Sequence, residues 1–182
     1  AAGLAGSGAS TIIACGGDGT ISEIADGILR AKGKGQGTAK LGIVPAGTGS
    51  DLVRTLGLQG DVPTSVARII RGEFRSVDCG RISYLTDAGA PASRCFINIA
   101  SLGLSGPTDR AVNAAKGKFR FGGKLVFMYH TIRELLRYRF QDVRITVDDS
   151  KPVETPIAVV AIANGRYFGG GMMIAPGASP DD

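Results

Sequence analysis

The hydrophobic positions near the start of the chain change from one period to another. Residues 11–15 are a short apolar, β-branched run, which predicts a strand. The next stretch has apolar residues at i, i+3, i+4, i+7 and i+8, which predicts a helix with one buried face. A second strand over 41–44 and a short helix over 52–56 repeat this order. The repetition favours a parallel α/β arrangement with both connecting loops at one edge of the sheet.

The pattern changes after a third helix predicted over 63–71. Strands are then predicted over 76–84, 94–100, 143–148 and 157–163. The last of these is apolar at every position, so we expect both of its faces to be buried. A long helix is predicted over 123–138. The change from mixed to mainly β pattern predicts two domains, covering residues 1–74 and 75–182.

Two glycine-rich loops follow the first two strands, at 16–20 (GGDGT) and 45–51 (PAGTGSD). Glycine lets backbone N–H groups approach an anion, and a helix start adds partial positive charge. We therefore expect both loops to offer free amides to phosphate. Asp18 would repel a bare phosphate, which favours a divalent cation or a hydroxyl donor between them. The alternative is a tight turn in which Asp18 is a capping acid and Thr20 is the N-cap.

Other phosphate-binding motifs fit the first loop poorly. The pattern GxxxxGK[ST] is absent, which disfavours a P-loop. The dinucleotide fingerprint requires Gly or Ala at the position of Ser22, so a dehydrogenase is also disfavoured.

Composition and charge narrow the class further. The 182 residues are 43% hydrophobic, which allows a sizeable core. The 21 basic and 16 acidic side chains give a net charge of +5, which favours an anionic partner. The basic residues are scattered without a recognised motif, so nucleic-acid binding is disfavoured.

No apolar run is long enough to predict a transmembrane segment. Cys15, Cys79 and Cys95 form no CxxC pair, which disfavours zinc and disulfides and favours a reduced cytoplasmic setting.

Longer segments carry a family resemblance. The GGDGT loop with ISEIADGI after it, and IVPAGTGSDLVRTLG at 43–57, resemble the diacylglycerol kinase catalytic domain shared with sphingosine kinases. FINIASLG at 96–103 and AIANGRYFGGGMMIAPGASPDD at 161–182 resemble the second domain of bacterial YegS-like or DgkB-like lipid kinases. The resemblance covers nearly the whole chain.

This resemblance implies an α/β nucleotide-binding domain followed by a mainly β-sandwich domain. It implies an enzyme that uses ATP and Mg²⁺ to phosphorylate a lipid hydroxyl, such as that of diacylglycerol, while peripheral at a membrane surface. A homodimer is left open. Two rival functions also remain open: NAD kinase-like phosphorylation of a soluble dinucleotide, and a non-catalytic nucleotide- or lipid-binding module.

The resemblance also carries site residues onto this sequence. The implied nucleotide contacts are Gly16, Gly17, Asp18, Gly19, Thr20, Ile21, Ser22 and Thr48, with Asp18 also catalytic. Ser179, through its carbonyl, and Asp182, through its carboxylate, are the implied magnesium ligands. Ser22 and Ser50 stand where the family often has Asn. The family's general base and its opening strands are expected outside residues 1–182, as in a segment cut at both ends.

Overall fold

The structure is a computed structural model that describes residues 1–35, 39–47, 50–104, 106, 133 and 138–182. Its helices and strands are, in chain order, α1 (Ala2–Gly6), β1 (Thr11–Gly16), α2 (Asp18–Gly33), β2 (Lys40–Pro45), α3 (Asp51–Thr55), α4 (Val62–Arg71), β3 (Gly80–Leu85), β4 (Pro91–Phe96), β5 (Ile99–Gly103), β6 (Gln141–Ile145), β7 (Val153–Ile157), β8 (Val159–Ala163), β9 (Tyr167–Phe168) and β10 (Met172–Met173). The long helix predicted over 123–138 lies almost entirely outside the described residues.

The first two strands pair in parallel, as predicted. Thr11 lies opposite Lys40 and Gly16 lies opposite Pro45, so the carboxyl ends of both strands meet at one edge. The Ala46 amide donates to the Gly16 carbonyl at 3.1 Å and extends the pairing past the strand ends. Both glycine loops therefore leave the sheet side by side.

Helix α2 covers this small sheet with its predicted apolar face. Ile21, Ala25 and Ile28 are buried, because their spacing of four and three residues places them on one side of the helix. They pack against the inward residues of β1, Ile12 and Ala14. Burying this stripe fixes the rotation of α2 and hence the direction in which its first turn faces.

The two following helices agree with the predicted positions to within one residue. Helix α3 has only five residues, and it is anchored by Leu52 and Val53, which are 1% and 2% exposed. Helix α4 begins after Asp61, whose carboxylate accepts a hydrogen bond from the Thr64 amide at 2.9 Å. The helix ends at Arg71 and is followed by the C-cap residue Gly72, whose φ of 71° is a left-handed conformation suited to glycine.

Two of the predicted strands are each divided in the structure. The stretch 94–100 becomes the end of β4 and the start of β5, because the Asn98 carbonyl leaves the ladder and accepts from the Asn164 and Gly165 amides, both at 2.9 Å. The stretch 157–163 is broken at Ala158, whose carbonyl accepts from the Leu104 amide at 2.8 Å. The hydrophobic period of a segment cannot predict such interruptions, because they depend on hydrogen bonds to residues distant in sequence.

The prediction that 157–163 is buried on both faces is wrong. Val159 and Ile162 are 45% and 56% exposed. In the described part of the chain, β8 pairs with β5 in a sheet of two strands, so it lacks the flanking strands of a sandwich interior.

The chain divides into two compact units. One comprises residues 1–99 together with 163–182, and the other comprises residues 100–162. The boundary predicted near residue 74 stays a prediction. Within the described residues, no helix has both the length and the apolar character needed to cross a membrane.

The cap of α4 predicts a pH-dependent contribution to stability. Hydrogen bonds from Thr64, first through its side chain and then through its backbone, lower the pKa of Asp61 below its ordinary value. A lowered folded-state pKa gives stability that is present above the unfolded pKa and is lost as the pH falls through the folded one. We expect Asp61→Ala to lower the melting temperature at pH 7 and to differ little from wild type near pH 2. A deficit that persists undiminished near pH 2, measured by circular dichroism, would contradict this origin.

Candidate functional site

The first glycine loop joins β1 to α2 with very little intervening chain. Gly16 ends the strand, Gly17 is the N-cap of the helix and Asp18 is its first residue. A side chain at Gly16 would approach the Thr20 side chain to 2.8 Å, so this glycine is required for the chain to turn directly into the helix. The alternative in which Thr20 is the N-cap is therefore wrong.

The first turn of α2 faces outward. The Ile21 amide donates to the Gly17 carbonyl at 3.1 Å, whereas the three preceding amides have no partner within the helix. No side chain of the described residues caps this end. Gly19 and Thr20 are exposed, and a Cβ at Gly19 would have no atom within 4 Å in the part of the chain that the structure describes. This end of α2 therefore combines unsatisfied donors, partial positive charge and open space.

The Asp18 carboxylate makes hydrogen bonds to the start of α3. Its Oδ2 accepts from the Asp51 amide at 3.0 Å, and its Oδ1 accepts from the Leu52 amide at 3.1 Å. The carboxylate of the first loop thus caps the helix that follows the second loop. The expectation that both loops offer free amides at a helix start is wrong for α3, because Asp18 already occupies its first two donors.

The second loop is in turn joined to a third segment. Asp51 is only 5% exposed, and its Oδ2 accepts from the Gly170 amide at 2.8 Å. Thr55, one turn later in α3, accepts from the Arg166 amide through its hydroxyl at 3.1 Å. Sequence reasoning assigned no site role to Asp51 or to Gly170; the available signal was the run of three glycines at 169–171.

The other residues predicted to contact nucleotide differ in their surroundings. The Ile21 side chain is fully buried in the core. Ser22 is half-buried and lines a cavity of about 370 Å³ between α2 and β4, together with Asp26 and Arg30. Thr48 lies outside the described residues.

The predicted magnesium ligands lie in the turn that ends the chain. The Ser179 hydroxyl donates to Asp181 at 2.8 Å, and the Pro180 carbonyl accepts from the Asp78 amide at 2.7 Å. The Asp182 side chain is exposed and makes no hydrogen bond within the described residues. No hydrogen-bond donor from the described residues reaches the Asp182 carboxylate or the Ser179 carbonyl, and both are hard oxygen ligands of the type that Mg²⁺ prefers. No group of three or more His, Cys, Asp or Glu side chains gathers around a common point in the described part of the chain.

Comparison with known families identifies both parts of the chain. Residues 1–82 match the diacylglycerol kinase catalytic domain, and residues 98–182 match the YegS C-terminal NAD kinase beta sandwich-like domain. These matches confirm the predicted order of an α/β catalytic domain followed by a β-sandwich-like domain. The chain thus carries a segment similar to each of these two domain families, in this order.

Individual relatives agree with the family match. The "Probable lipid kinase YegS-like" of Citrobacter koseri is 29% identical over 96% of this chain and 54% of its own length. The "Diacylglycerol kinase" of Mycobacterium tuberculosis strain H37Rv is 29% identical over 96% of this chain and 53% of its own. A solved Bacillus anthracis strain Sterne protein, provisionally named a diacylglycerol kinase, has a TM-score of 0.69 and 27% identity over 99% of this chain and 56% of its own. The chain thus spans about half the length of the relatives it matches.

The Asp18 cap predicts a large stability effect from a small substitution. In Asp18→Asn one carboxylate oxygen becomes an NH₂ donor that faces a backbone N–H, so one amide of α3 loses its acceptor. We expect a loss of about 1–3 kcal/mol in the free energy of unfolding, measured in urea. Asp142→Asn is the matched control, because Asp142 is exposed and its side chain has no hydrogen bond within the described residues. Equal effects of the two substitutions would show that the cap contributes nothing measurable.

Proposed function

We propose that this chain carries the nucleotide-binding part of an ATP-dependent lipid kinase, which transfers the γ-phosphoryl group to a lipid hydroxyl such as that of diacylglycerol. The observation that carries the proposal is the uncapped, exposed first turn of α2, which lies directly after a glycine turn at the carboxyl edge of the sheet. An anion at this point would receive backbone donors without displacing any protein partner.

Phosphoryl transfer asks the protein mainly for positioning and for neutralisation of charge. The amides of residues 18–20 would hold nucleotide phosphate, and the open space at Gly19 would allow close approach. The short connection between β1 and α2 keeps these donors in place before the nucleotide arrives, which lowers the cost of ordering them. Ser22 and Thr48 are proposed as further contacts, on the family resemblance.

Asp18 remains the proposed catalytic carboxylate. Each of its oxygens uses one acceptor site for an α3 amide, and an ionised carboxylate has about four such sites. The free sites could hold a water or a metal-bound ligand beside the phosphates. Mg²⁺ bound near the nucleotide would supply neutralisation of phosphate charge, and Ser179 and Asp182 are the proposed protein ligands in the final turn.

The lipid acceptor is proposed from the family and from charge. The relatives cited above carry the names "Probable lipid kinase YegS-like" and "Diacylglycerol kinase". A net charge of +5 favours approach to an anionic membrane surface. The match to an NAD kinase beta sandwich-like domain keeps phosphorylation of a dinucleotide as the second candidate.

The site at the start of α2 is tested by a glycine substitution that the fold should tolerate. A Cβ at Gly19 meets open space, and so does one at Gly33 at the opposite end of the same helix. We expect Gly19→Ala to lower the affinity for Mg·ATP about tenfold, equivalent to losing one good hydrogen bond to phosphate, without loss of thermal stability. Gly33→Ala should bind like wild type. Equal Mg·ATP affinities of the two variants, measured by calorimetric titration, would contradict the assignment of the nucleotide to this turn.

The acceptor is tested by transfer of labelled γ-phosphate from ATP in mixed micelles. Diacylglycerol and NAD are offered in parallel, to the chain of 182 residues and to a form extended to the length of its relatives. Because the family's general base is expected beyond residue 182, we expect lipid product from the longer form and a rate lower by about 10² to 10⁴ from the shorter one. Phosphorylation of NAD alone would favour the second candidate, and equal lipid rates would place the base within this chain.

A further inference from the structure

Three consecutive glycines connect β9 to β10. Gly169, Gly170 and Gly171 have φ values of 65°, 87° and 109°, a region that side chains other than glycine rarely adopt. A tight hairpin commonly needs one or two such residues. A third glycine weakens the turn, and glycine at such a point often marks a place where another group approaches the backbone closely.

This glycine loop, defined as residues 169–171, is held by a buried charge. Burying a carboxylate is costly unless it is hydrogen-bonded, and Asp51 meets that requirement by accepting from the Gly170 amide at 2.8 Å. The backbone amide of Asp51 is itself held by Asp18 at 3.0 Å. Asp51 therefore connects two segments. Its backbone amide contacts the first glycine-rich loop, residues 16–20, here called the phosphate loop, and its side chain contacts the glycine loop.

The glycine loop is closed on one side and open on another. The Arg54 guanidinium donates to the Gly171 carbonyl at 3.4 Å and lies over the Tyr167 ring, 5.2 Å from its centroid. A side chain at Gly171 would collide with Arg54, whereas a Cβ at Gly170 would have no atom of the described residues within 4 Å. Bare backbone at Gly170 therefore faces free space.

We propose that the glycine loop is a third backbone element of the nucleotide site, and that Asp51 is the positioning residue that couples it to the phosphate loop. The identity of the ligand, ATP, rests on the proposed function. All the residues involved belong to the same compact unit, so the coupling is internal to one body. Rigid connection through Asp18 and Asp51 holds the loops ready before the nucleotide binds, and this reduces the entropy lost on binding.

The test separates a role in binding from a role in folding. Gly170→Ala and Gly8→Ala place the same methyl group at φ of 87° and 90°, in both cases with no atom within 4 Å. The two variants should lose similar thermal stability, on the order of 3 °C in Tm. Only Gly170→Ala should weaken Mg·ATP binding, about tenfold by calorimetric titration. Equal affinities of the two variants would overturn the assignment of the glycine loop to the site.

A second measurement tests the coupling without nucleotide. The Gly170 amide should exchange with solvent at least about tenfold faster in Asp51→Ala than in wild type, followed by NMR. Asp51→Asn should restore most of the protection and of the ATP affinity, because its amide oxygen still accepts from Gly170. Unchanged exchange in Asp51→Ala would overturn the positioning role. Failure of the wild-type chain to bind Mg·ATP would instead count against the proposed function, and the exchange result would still decide the coupling.

Discussion

The arrangement of the catalytic-domain loops depends on one carboxylate that accepts two backbone amides. Asp18 lies 33 positions before Asp51, yet its two oxygens hold the first two donors of α3 at 3.0 and 3.1 Å. A helix of five residues is too short to be stable alone, so α3 needs both this cap and the burial of Leu52 and Val53. Through that short helix, the conformation of the first loop determines where the second one can lie.

The same contact accounts for an acidic residue beside a site suited to phosphate. A carboxylate next to an anion is repulsive, and a bound cation is one way to offset the repulsion. The N-terminus of α3 offers another, since its amides carry partial positive charge directed at Asp18. The two helix starts therefore differ: within the described residues the first turn of α2 keeps its donors free, whereas α3 uses its first two donors to neutralise and orient Asp18.

The sequence predicted helices and strands better than it predicted the hydrogen bonds between residues distant in sequence. The stripe of Ile21, Ala25 and Ile28 located α2, because helix burial has a period that a single segment displays. The interruptions of the predicted strands at Asn98 and Ala158 were missed, because the carbonyls of these residues accept hydrogen bonds from residues far away in sequence. The glycines and the acid of the first loop led to the prediction of an anion site. The partners of the Asp18 carboxylate were not predicted, because they are amides of α3, more than 30 positions further along the chain.

Glycine also has two distinct uses at this edge of the sheet, and the sequence cannot separate them. Gly16 and Gly165 are there for packing: a Cβ would approach Thr20 to 2.8 Å at the first and would collide with the Asn98 side chain at the second. Among the residues that the structure describes, Gly19 and Gly170 have no such neighbour, and their backbone is open. Packing alone would therefore accept a larger residue at Gly19, where no positive φ demands glycine either. Nothing in the described residues accounts for glycine at position 19, whereas the proposed ligand at the start of α2 would account for it.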